Sequence, residues 1–341
     1  MRTVVLILSA TVWSCVGQPE PVTVDPGEAA GSGSGGTTGS ADAVPSIPDV
    51  RCAGTPDAGP AAGFDHFTSS VISYGTPAHR GIDLVASASA DPQTLEGDLA
   101  YSVTDKALED EAVDVFACRQ GAWHKLGTTR TDLDGHFTFA LTGGARLAIG
   151  IRDLYVSVVG DRTGAAFLAF VAPVGSPLVV SDVDGTLTES ENRFATSRVL
   201  GGDVGAQPDA GATYTADASA KHDTFVYLTA RGNQYTELTR SWLAAHGFPR
   251  GPLRLSSSFL TLPGGDTIAF KTAALQQLAT SFAVSAGVGN RASDVTSYTA
   301  AGVAAARIFI KLPEYQPEVQ AALDAHQAIG FQSYAELATK L

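Results

Sequence analysis

Two aspartates separated by a single residue follow an apolar run in the second half of this chain. The run at residues 178–180 reads Leu-Val-Val, and Asp182, Asp184 and Gly185 come just after it. An apolar run of this kind is typical of a buried strand, so both carboxylates are expected at the end of that strand. Such carboxylates can hold a divalent cation, and one of them can attack a phosphorus atom. The pair therefore indicates a phosphoryl-transfer site.

A similar string at residues 132–135 has different surroundings. It follows the polar residues 128–131 and leads directly into the alternating segment 136–141. In turns, Asp supplies side-chain hydrogen bonds and Gly supplies a positive φ. We interpret this string as a hairpin or loop turn, with a weak calcium site as the alternative.

Three further groups of polar residues accompany later predicted elements. Residues 225–228 form an apolar strand that leads into Thr229, Arg231 and Gly232, a hydroxyl and free backbone amides suited to phosphate oxygens. Lys271 begins a predicted helix and can supply a fixed positive charge. A third strand leads into residues 289–294, which bring Asn290 and a second metal-binding carboxylate, Asp294.

The spacing of strands and helices divides the folded part of the chain in two. Short strands at 113–117, 123–127, 136–141 and 154–159 predict an antiparallel β-sandwich over residues 61–175, similar to immunoglobulin- or transthyretin-like modules. From residue 176 to 341, strands alternate with helices at 233–246 and 270–282, which predicts a parallel sheet with helices on both faces. Ligands in such sheets bind at the carboxyl ends of the strands, where Asp182 and Thr229 are expected.

The hydroxyl, the lysine and the two acidic loops occur in the order of the four motifs of the haloacid dehalogenase-like phosphatases, which this domain resembles. This resemblance implies a Rossmann-like α/β domain behind the β-sandwich. Over residues 177–311 the amino-acid sequence resembles the lipin-type LNS2 domain of phosphatidate phosphatases still more closely. The matching segments are 182–188, 227–231, 239–243, 251–256 and 289–298. LNS2 domains also occur in phosphatidylinositol-transfer proteins, where the acidic motif is commonly degraded. Both aspartates are intact here, which favours an enzyme.

The resemblance implies a role for each polar residue. Asp182 would be the nucleophile that forms an aspartyl-phosphate, and Asp184 the acid and base. Thr229 and Lys271 would clamp the transferring phosphoryl oxygens. Magnesium would be held by Asp182, by the backbone carbonyl of Asp184 and by Asp294.

The remaining candidates have supporting roles. Asn290 is expected to orient Asp294 or a metal-bound water, with helix capping as the alternative. Thr186 is expected at the substrate site, hydrogen-bonded to Asp184. Arg231 and Gly232 are expected to bind substrate, although Arg231 can instead pair with an acidic loop. None of the seven histidines has a metal-ligand spacing, and we assign them no catalytic role.

The N-terminus predicts an exported chain. Arg2 precedes a short apolar stretch, and residues 12–15 are similar to a bacterial lipoprotein signal ending at an acylated Cys15, with plain secretion as the alternative. Residues 16–60 are rich in Gly, Ser and Pro and read as a flexible tether. We therefore expect a secreted or cell-envelope protein, anchored to a membrane at the periplasmic or outer-membrane face. Cys52 and Cys118 can then either pair or remain free thiols.

The net charge of the chain and the length of the segment 189–223 limit the possible partners and substrates. A net charge of −13 argues against a nucleic-acid partner and against simple electrostatic docking to an anionic bilayer. The segment 189–223 is too small for a large lid domain, and an open site suits a head group presented by a membrane. The first hypothesis is a magnesium-dependent phosphatidate phosphatase. The alternatives are a phosphatase of soluble or protein-borne phosphomonoesters and a non-catalytic module that binds phospholipid or protein.

Overall fold

The computed structural model describes residues 46–102, 105–191, 204–257 and 264–341. The expected signal peptide, Cys15 and the first part of the expected tether lie outside the described residues. Residues 192–203 of the segment between the first two motifs also lie outside them. Residues 46–60 were expected to belong to the tether, but they contain strand β1 (Asp49–Val50) and a disulfide bond from Cys52 to Cys118.

The first half of the described chain is a β-sandwich. Its elements after β1 are α1 (Phe67–Ile72), β2 (Arg80–Ile82), β3 (Leu84–Ser87), β4 (Gln93–Asp98), β5 (Ala100–Tyr101), β6 (Lys106–Ala107), β7 (Ala112–Arg119), β8 (Ala122–Arg130), β9 (His136–Leu141), β10 (Gly150–Val158) and β11 (Gly164–Ala172). One sheet has the order β3-β11-β10-β7-β8, a second has the order β2-β4-β9, and β5 pairs with β6. The pairings are antiparallel except that β1 runs parallel to β10 and β3 parallel to β11.

Alternating apolar residues of the two larger sheets form the core of the sandwich. Leu95 of β4 and Phe137 of β9 pack with Val115, Leu154 and Phe167 of the larger sheet, and all five are almost fully buried. The string at residues 132–135 is a turn between β8 and β9. The Asp132 carboxylate accepts hydrogen bonds from the backbone of Asp134 and His136, and Gly135 has a φ of +75°.

The second half is a six-stranded parallel sheet with helices on both faces. Its elements are β12 (Pro177–Ser181), α2 (Ala210–Lys221), β13 (Thr224–Gly232), α3 (Thr236–Ala245), β14 (Leu253–Ser256), α4 (Gly265–Ala279), β15 (Ala283–Gly289), α5 (Ala292–Ala300), β16 (Ile308–Lys311), α6 (Gln316–Asp324), β17 (Ile329–Phe331) and α7 (Tyr334–Leu337). The strand order is β14-β13-β12-β15-β16-β17. The expected fold class, an α/β parallel sheet preceded by a β-sandwich, is confirmed.

The central strands of the parallel sheet are apolar because both of their faces are covered. Val180 and Val226 belong to the core on one side, whereas Val179 and Phe225 belong to the core on the other side. Within the described residues, no helix is both long enough and apolar enough to cross a bilayer.

Two helices begin at positions that the sequence pattern did not predict. The helix expected from Asn233 begins at Thr236, after a 3-10 turn over Asn233–Tyr235. The Asn233 side chain donates a hydrogen bond to Asp98 of the sandwich at 3.1 Å, and no side chain caps the start of α3. The helix expected from Phe270 already begins at Gly265, after Gly264 with its φ of +95°.

The sandwich and the parallel sheet share a buried junction. Sandwich residues Leu168 and Phe170 belong to the same apolar cluster as Val180 and Phe282, and the rings of Phe170 and Phe282 lie 5.5 Å apart. Asp83, between β2 and β3, is the polar centre of this junction. Its carboxylate accepts hydrogen bonds from the backbone of Leu168 and Leu253 and from the guanidinium of Arg240 at 2.7 to 3.0 Å.

Candidate active site

The site forms where three neighbouring strands end. Strand β12 lies between β13 and β15 in the centre of the sheet, so Asp182, Thr229 and the loop after Gly289 meet at one edge. The backbone amide of Asp182 donates to the carbonyl of Val288 at 2.9 Å, which extends the β12–β15 pairing into the acidic turn. The order of the strands thus brings together motifs that are far apart in the sequence.

Asp182 is buried at the base of the site. Its Oδ1 accepts a hydrogen bond from Lys271 Nζ at 2.6 Å, and its Oδ2 accepts one from Thr186 Oγ1 at 2.9 Å. Thr186 was expected beside Asp184, and this expectation was wrong. The chain coils back after Asp182, with a hydrogen bond from Leu187 N to Val183 O, and this single turn carries residue 186 back over residue 182.

Lys271 joins the two acidic loops. From α4 its ammonium donates to Asp182 and to Asp294, both at 2.6 Å, and the lysine side chain is 7% exposed. Burial raises the pKa of Asp182 to about 8 against the opposing charge of Lys271, and the Asp294 carboxylate adds to this rise. Burial disfavours the charge of Lys271, but the two carboxylates raise its pKa above the ordinary value. Near neutral pH, one ammonium therefore does not keep both carboxyl groups in their charged forms.

Asp294 is fixed by the backbone of its own loop. Its Oδ2 accepts hydrogen bonds from the amides of Asn290 and Arg291, both at 3.0 Å, so that the carboxylate caps α5. A Cβ on Gly289 would lie 2.5 Å from the Asp294 side chain, so the glycine makes room for this carboxylate. The backbone amide of Asn290 orients Asp294 in this way, while its side-chain amide donates a hydrogen bond to Glu191.

Asp184 forms an ion pair with Arg231, whose partner the sequence analysis left open. The guanidinium of Arg231 donates to both carboxylate oxygens of Asp184, at 2.6 to 3.1 Å, and Thr229 Oγ1 donates to Oδ2 at 2.9 Å. A further bond from Arg231 to Thr239 of α3, at 3.0 Å, fixes the guanidinium. Both Arg231 and Thr229, for which substrate contacts are predicted, contact the predicted general acid in this structure. Gly232 lies opposite Ser256 in the β13–β14 pairing.

Glu191 is a further charged group at the site, and the sequence analysis missed it. Its carboxylate accepts hydrogen bonds from Asn290 Nδ2 at 3.0 Å and from Arg291 at 3.2 Å. Burial raises its pKa. The only signal in the sequence was an acidic residue soon after the first motif, and nothing in its spacing indicated that the chain returns there.

The residues of the site suit a hard cation in their chemistry. The candidate ligands Asp182, Asp294, Asn290 and the Asp184 carbonyl offer only oxygen atoms, which magnesium prefers. Asn290 Oδ1 is buried without a hydrogen-bond partner, as an acceptor reserved for another ligand would be. In the part of the chain that the structure describes, no group of three or more His, Cys, Asp or Glu side chains is arranged to hold a metal ion, and Lys271 bridges the two nearest carboxylates.

Two family models match this chain. The LNS2 (Lipin/Ned1/Smp2) model matches residues 146–340, and the model of the PITM 1-3 β-sandwich domain matches residues 77–171. The second match lies within the sandwich, whereas the LNS2 match covers the last two sandwich strands and the whole parallel sheet.

The curated relatives are large proteins. Human membrane-associated phosphatidylinositol transfer protein 3 is 28% identical over 72% of this chain and 25% of its own length. The Drosophila melanogaster protein retinal degeneration B is 28% identical over 68% of this chain and 18% of its own length. Human membrane-associated phosphatidylinositol transfer protein 2 is 30% identical over 55% of this chain and 14% of its own length. The chain thus spans a quarter or less of the length of these relatives.

Among solved structures, a putative β-phosphoglucomutase from Thermotoga maritima aligns with 48% of this chain and 97% of its own chain. The TM-score is 0.33 at 12% identity, a likeness too distant to carry an inference. The LNS2 match, in contrast, extends over more than half of the chain and includes every residue of the acidic site. The protein therefore belongs to the LNS2 (Lipin/Ned1/Smp2) family.

Proposed function

We propose that this protein is a phosphatase that hydrolyses a phosphomonoester through an aspartyl-phosphate on Asp182, and that its substrate is phosphatidate or a related lipid phosphomonoester. The observation that carries the proposal is the pairing of Lys271 with both Asp182 and Asp294, through hydrogen bonds of 2.6 Å, where adjacent strands end. Membership of the LNS2 family supports a phosphatase-type hydrolase at the general level.

The proposed reaction has two displacements at phosphorus. The Asp182 carboxylate attacks in line, the bond from phosphorus to the alcohol oxygen breaks, and the alcohol leaves with a proton from Asp184. Water then attacks the aspartyl-phosphate and gives a proton to Asp184, so that phosphate leaves and both aspartates return to their starting forms. Lys271 holds Asp182 in position and offers its charge to the phosphoryl oxygens.

Arg231 must change partner for this sequence to run, because in the structure it holds both oxygens of Asp184. A phosphoryl group competes for a guanidinium, since bidentate arginine–phosphate pairs are among the strong charge-assisted hydrogen bonds. Transfer of Arg231 to the incoming phosphate would leave Asp184 able to carry a proton. In this proposal Arg231 both binds substrate and releases the acid.

Magnesium fits the donor chemistry of the site, and Asp182, Asp294, Asn290 and the Asp184 carbonyl would hold it. When bound, it would supply positive charge that reduces repulsion between the carboxylates and the phosphate. It would also favour the charged form of Asp182 that attacks phosphorus, because burial raises the pKa of this carboxyl to about 8.

A lipid substrate is supported by two observations of different kinds. Several relatives are named as membrane-associated phosphatidylinositol transfer proteins. The lipoprotein-like signal ending at Cys15 would tether the chain to a membrane of the cell envelope, where a lipid head group is presented to it.

Phosphate release distinguishes the possible substrates. The wild-type chain is incubated with magnesium and either phosphatidate vesicles or a small chromogenic phosphate ester. The proposal predicts a higher kcat/KM for phosphatidate, and loss of turnover when magnesium is chelated. A clear preference for the small ester would instead support a phosphatase of soluble phosphomonoesters.

A non-catalytic module that binds a phospholipid or a protein is the second candidate function. The ion pair of Arg231 with Asp184 favours it, because a carboxylate held by a guanidinium suits a binding site without proton transfer. The names of the relatives also suit it. If no ester released phosphate and magnesium left the Tm unchanged, this candidate would replace the phosphatase.

A further inference from the structure

A chain of polar contacts connects helix α6 with the acidic turn. Glu318 of α6 accepts hydrogen bonds from Arg291 Nε at 2.9 and 3.2 Å, and the guanidinium carbon of Arg291 lies 3.9 Å from the centre of the Tyr315 ring. Arg291 also donates to Oε1 of Glu191 at 3.2 Å. The other oxygen of Glu191, Oε2, accepts a hydrogen bond from Asn290 Nδ2 at 3.0 Å. Both oxygens of Glu191 are thus held by donors from the loop after β15.

These contacts fix the orientation of the Asn290 side-chain amide. An ionised carboxylate only accepts hydrogen bonds, so the NH2 group of the amide, and not its oxygen, must face Glu191. The same NH2 group packs against the acidic turn, since a Cβ on Gly185 would lie 2.1 Å from Asn290 Nδ2 and 3.1 Å from Glu191 Oε2. The opposite end of the amide, Oδ1, is buried and has no hydrogen-bond partner among the described residues. The carboxylate of Glu191 thus leaves the amide oxygen as the acceptor available to a ligand.

The position of Asn290 suits this oxygen to a cation. A buried oxygen without a partner is costly, because folding removes its hydrogen bonds with water and supplies no others. The backbone amide of Asn290 donates to the Asp294 carboxylate at 3.0 Å, so this residue contacts both the acidic turn and the second candidate carboxylate for the metal. Amide oxygens are among the ligands that hard cations accept. A cation at the acidic turn would therefore satisfy Oδ1.

We propose that Glu191 is a positioning residue of the magnesium site, whose carboxylate holds the Asn290 amide with Oδ1 available to the cation. Groups that orient metal ligands in this way are important for affinity, and their loss typically weakens metal binding by about 10- to 100-fold. The inference rests on the magnesium site of the proposed function. It does not rest on turnover, because a non-catalytic module could bind the cation through the same residues.

Glu191→Gln tests this role because it keeps the shape of the side chain. The guanidinium of Arg291 only donates, so the oxygen of the new amide would face Arg291 and its NH2 group would face Asn290. This NH2 group would then donate to Asn290 Oδ1 and turn it away from the cation. Glu318→Gln is the matched control, since Glu318 is a second carboxylate on the same arginine, but it holds Arg291 and the backbone of Ala292 rather than Asn290.

Calorimetric titration of the metal-free full chain with magnesium chloride measures the affinity, and the Tm in chelator shows that each variant is folded. We expect one magnesium ion per wild-type chain. Glu191→Gln should bind it about tenfold or more weakly, as for loss of a group that orients a ligand. Glu318→Gln removes the same charge from a more exposed position, so its affinity should stay within about twofold of the wild type.

Asn290→Ala separates positioning from a direct effect of charge. If Glu191 acts through Asn290, Glu191→Gln should not weaken magnesium binding further once Asn290 is alanine. The proposal is overturned if the wild type shows no saturable binding of magnesium, if Glu191→Gln binds it as Glu318→Gln does, or if the two losses multiply in the double variant. Phosphate release is measured separately. Magnesium affinities that change as expected in a chain without turnover would support the role of Glu191 and contradict the phosphatase.

Discussion

Gly185 is the residue on which the acidic turn depends most closely. Its φ is +71°, a conformation that side chains with a Cβ adopt only with strain, and a Cβ there would lie 2.1 Å from Asn290 Nδ2. Gly175, with a φ of +80°, has no atom within 4 Å of the same position. The two glycines separate the cost of the backbone conformation from that of the contact with Asn290.

Gly175→Ala should destabilise the fold by about 1 kcal/mol, because only the left-handed conformation is penalised. Gly185→Ala should cost about 2 to 4 kcal/mol, since the contact with Asn290 adds a packing penalty. It should also lower phosphatase activity by displacing the acidic loops. Urea unfolding and phosphate release measure the two effects, and equal stability losses in both variants would contradict the role assigned to the contact with Asn290.

Arg231→Gln tests whether this arginine binds the transferring phosphoryl group or only blocks Asp184. We expect kcat/KM to fall about 100-fold, as for removal of one donor that stabilises the transition state. Arg231→Lys keeps the charge but not the planar fork, so it should recover part of this loss. An unchanged or higher kcat/KM in Arg231→Gln would show that the guanidinium only restrains the acid.

The sequence predicted where most site residues lie, but it predicted few of their side-chain contacts. Asp182, Thr229 and the loop of Asp294 meet at the ends of adjacent strands because a parallel sheet brings motifs together there, and this follows from the strand pattern. Lys271 reaches them from α4. The partner of Arg231 did not follow, since a guanidinium can reach either a phosphate or a carboxylate. Glu191 escaped prediction because its contact with Asn290 depends on how a loop returns to the sheet.

At the scale of elements, α3 connects the sandwich with the acidic turn. Thr239 of this helix holds Arg231, while its neighbour Arg240 holds Asp83 of the sandwich. Asn233, just before the helix, binds Asp98 of β4. The sequence pattern predicted a helix here but placed its start at Asn233, because the pattern of one segment does not reveal a side-chain contact with another domain.

Asp83→Asn should destabilise the whole fold by about 2 to 4 kcal/mol. The substitution removes a buried negative charge with partners in both domains, and the new amide NH2 would face N–H groups that now donate to the carboxylate. Urea unfolding followed by circular dichroism measures the effect. Asp134→Asn, at an exposed turn, is the matched control and should change stability by less than about 0.5 kcal/mol. A similarly small change in Asp83→Asn would mean that the junction does not depend on this carboxylate.

At the scale of the whole molecule, the sandwich and the parallel sheet are packed as one body. The described residues from 46 to 341 form a single compact unit, and the apolar cluster around Phe170 and Phe282 is continuous across the junction. The strand pattern predicted both layers but not this junction, since apolar residues on the outer face of a sandwich do not indicate what covers them. Stability measured at any site is thus expected to report on both halves.

The pH dependence of global stability should contain a contribution from Asp223, which lies just before β13. Burial, and then a hydrogen bond with Asp217, raises its pKa from 3.8 to about 6. Between these two values the folded chain keeps a proton that the unfolded chain has lost. The contribution is therefore fully present below pH 3.8 and is lost as the pH rises through 6.

Asp223→Asn should accordingly stabilise the protein at pH 7.5, by about 1 to 2 kcal/mol after allowing for the partial exposure of the group, and should have little effect at pH 4. Urea midpoints at several pH values measure the difference, with Asp134→Asn as the exposed control. A stability gain of equal size at both pH values would contradict the raised pKa.

The most direct test of the central claim, that Asp182 is the nucleophile, compares it with Asp132. Each of these aspartates is the first residue of an Asp-x-Asp-Gly sequence. Asp182→Asn and Asp132→Asn are each incubated with phosphatidate vesicles and magnesium, and phosphate release is measured. We predict that Asp182→Asn loses about a thousandfold or more in kcat, because the nucleophile is gone, whereas Asp132→Asn, which changes only a turn, keeps wild-type activity. Comparable phosphate release by both variants would contradict the assignment of Asp182 as the nucleophile.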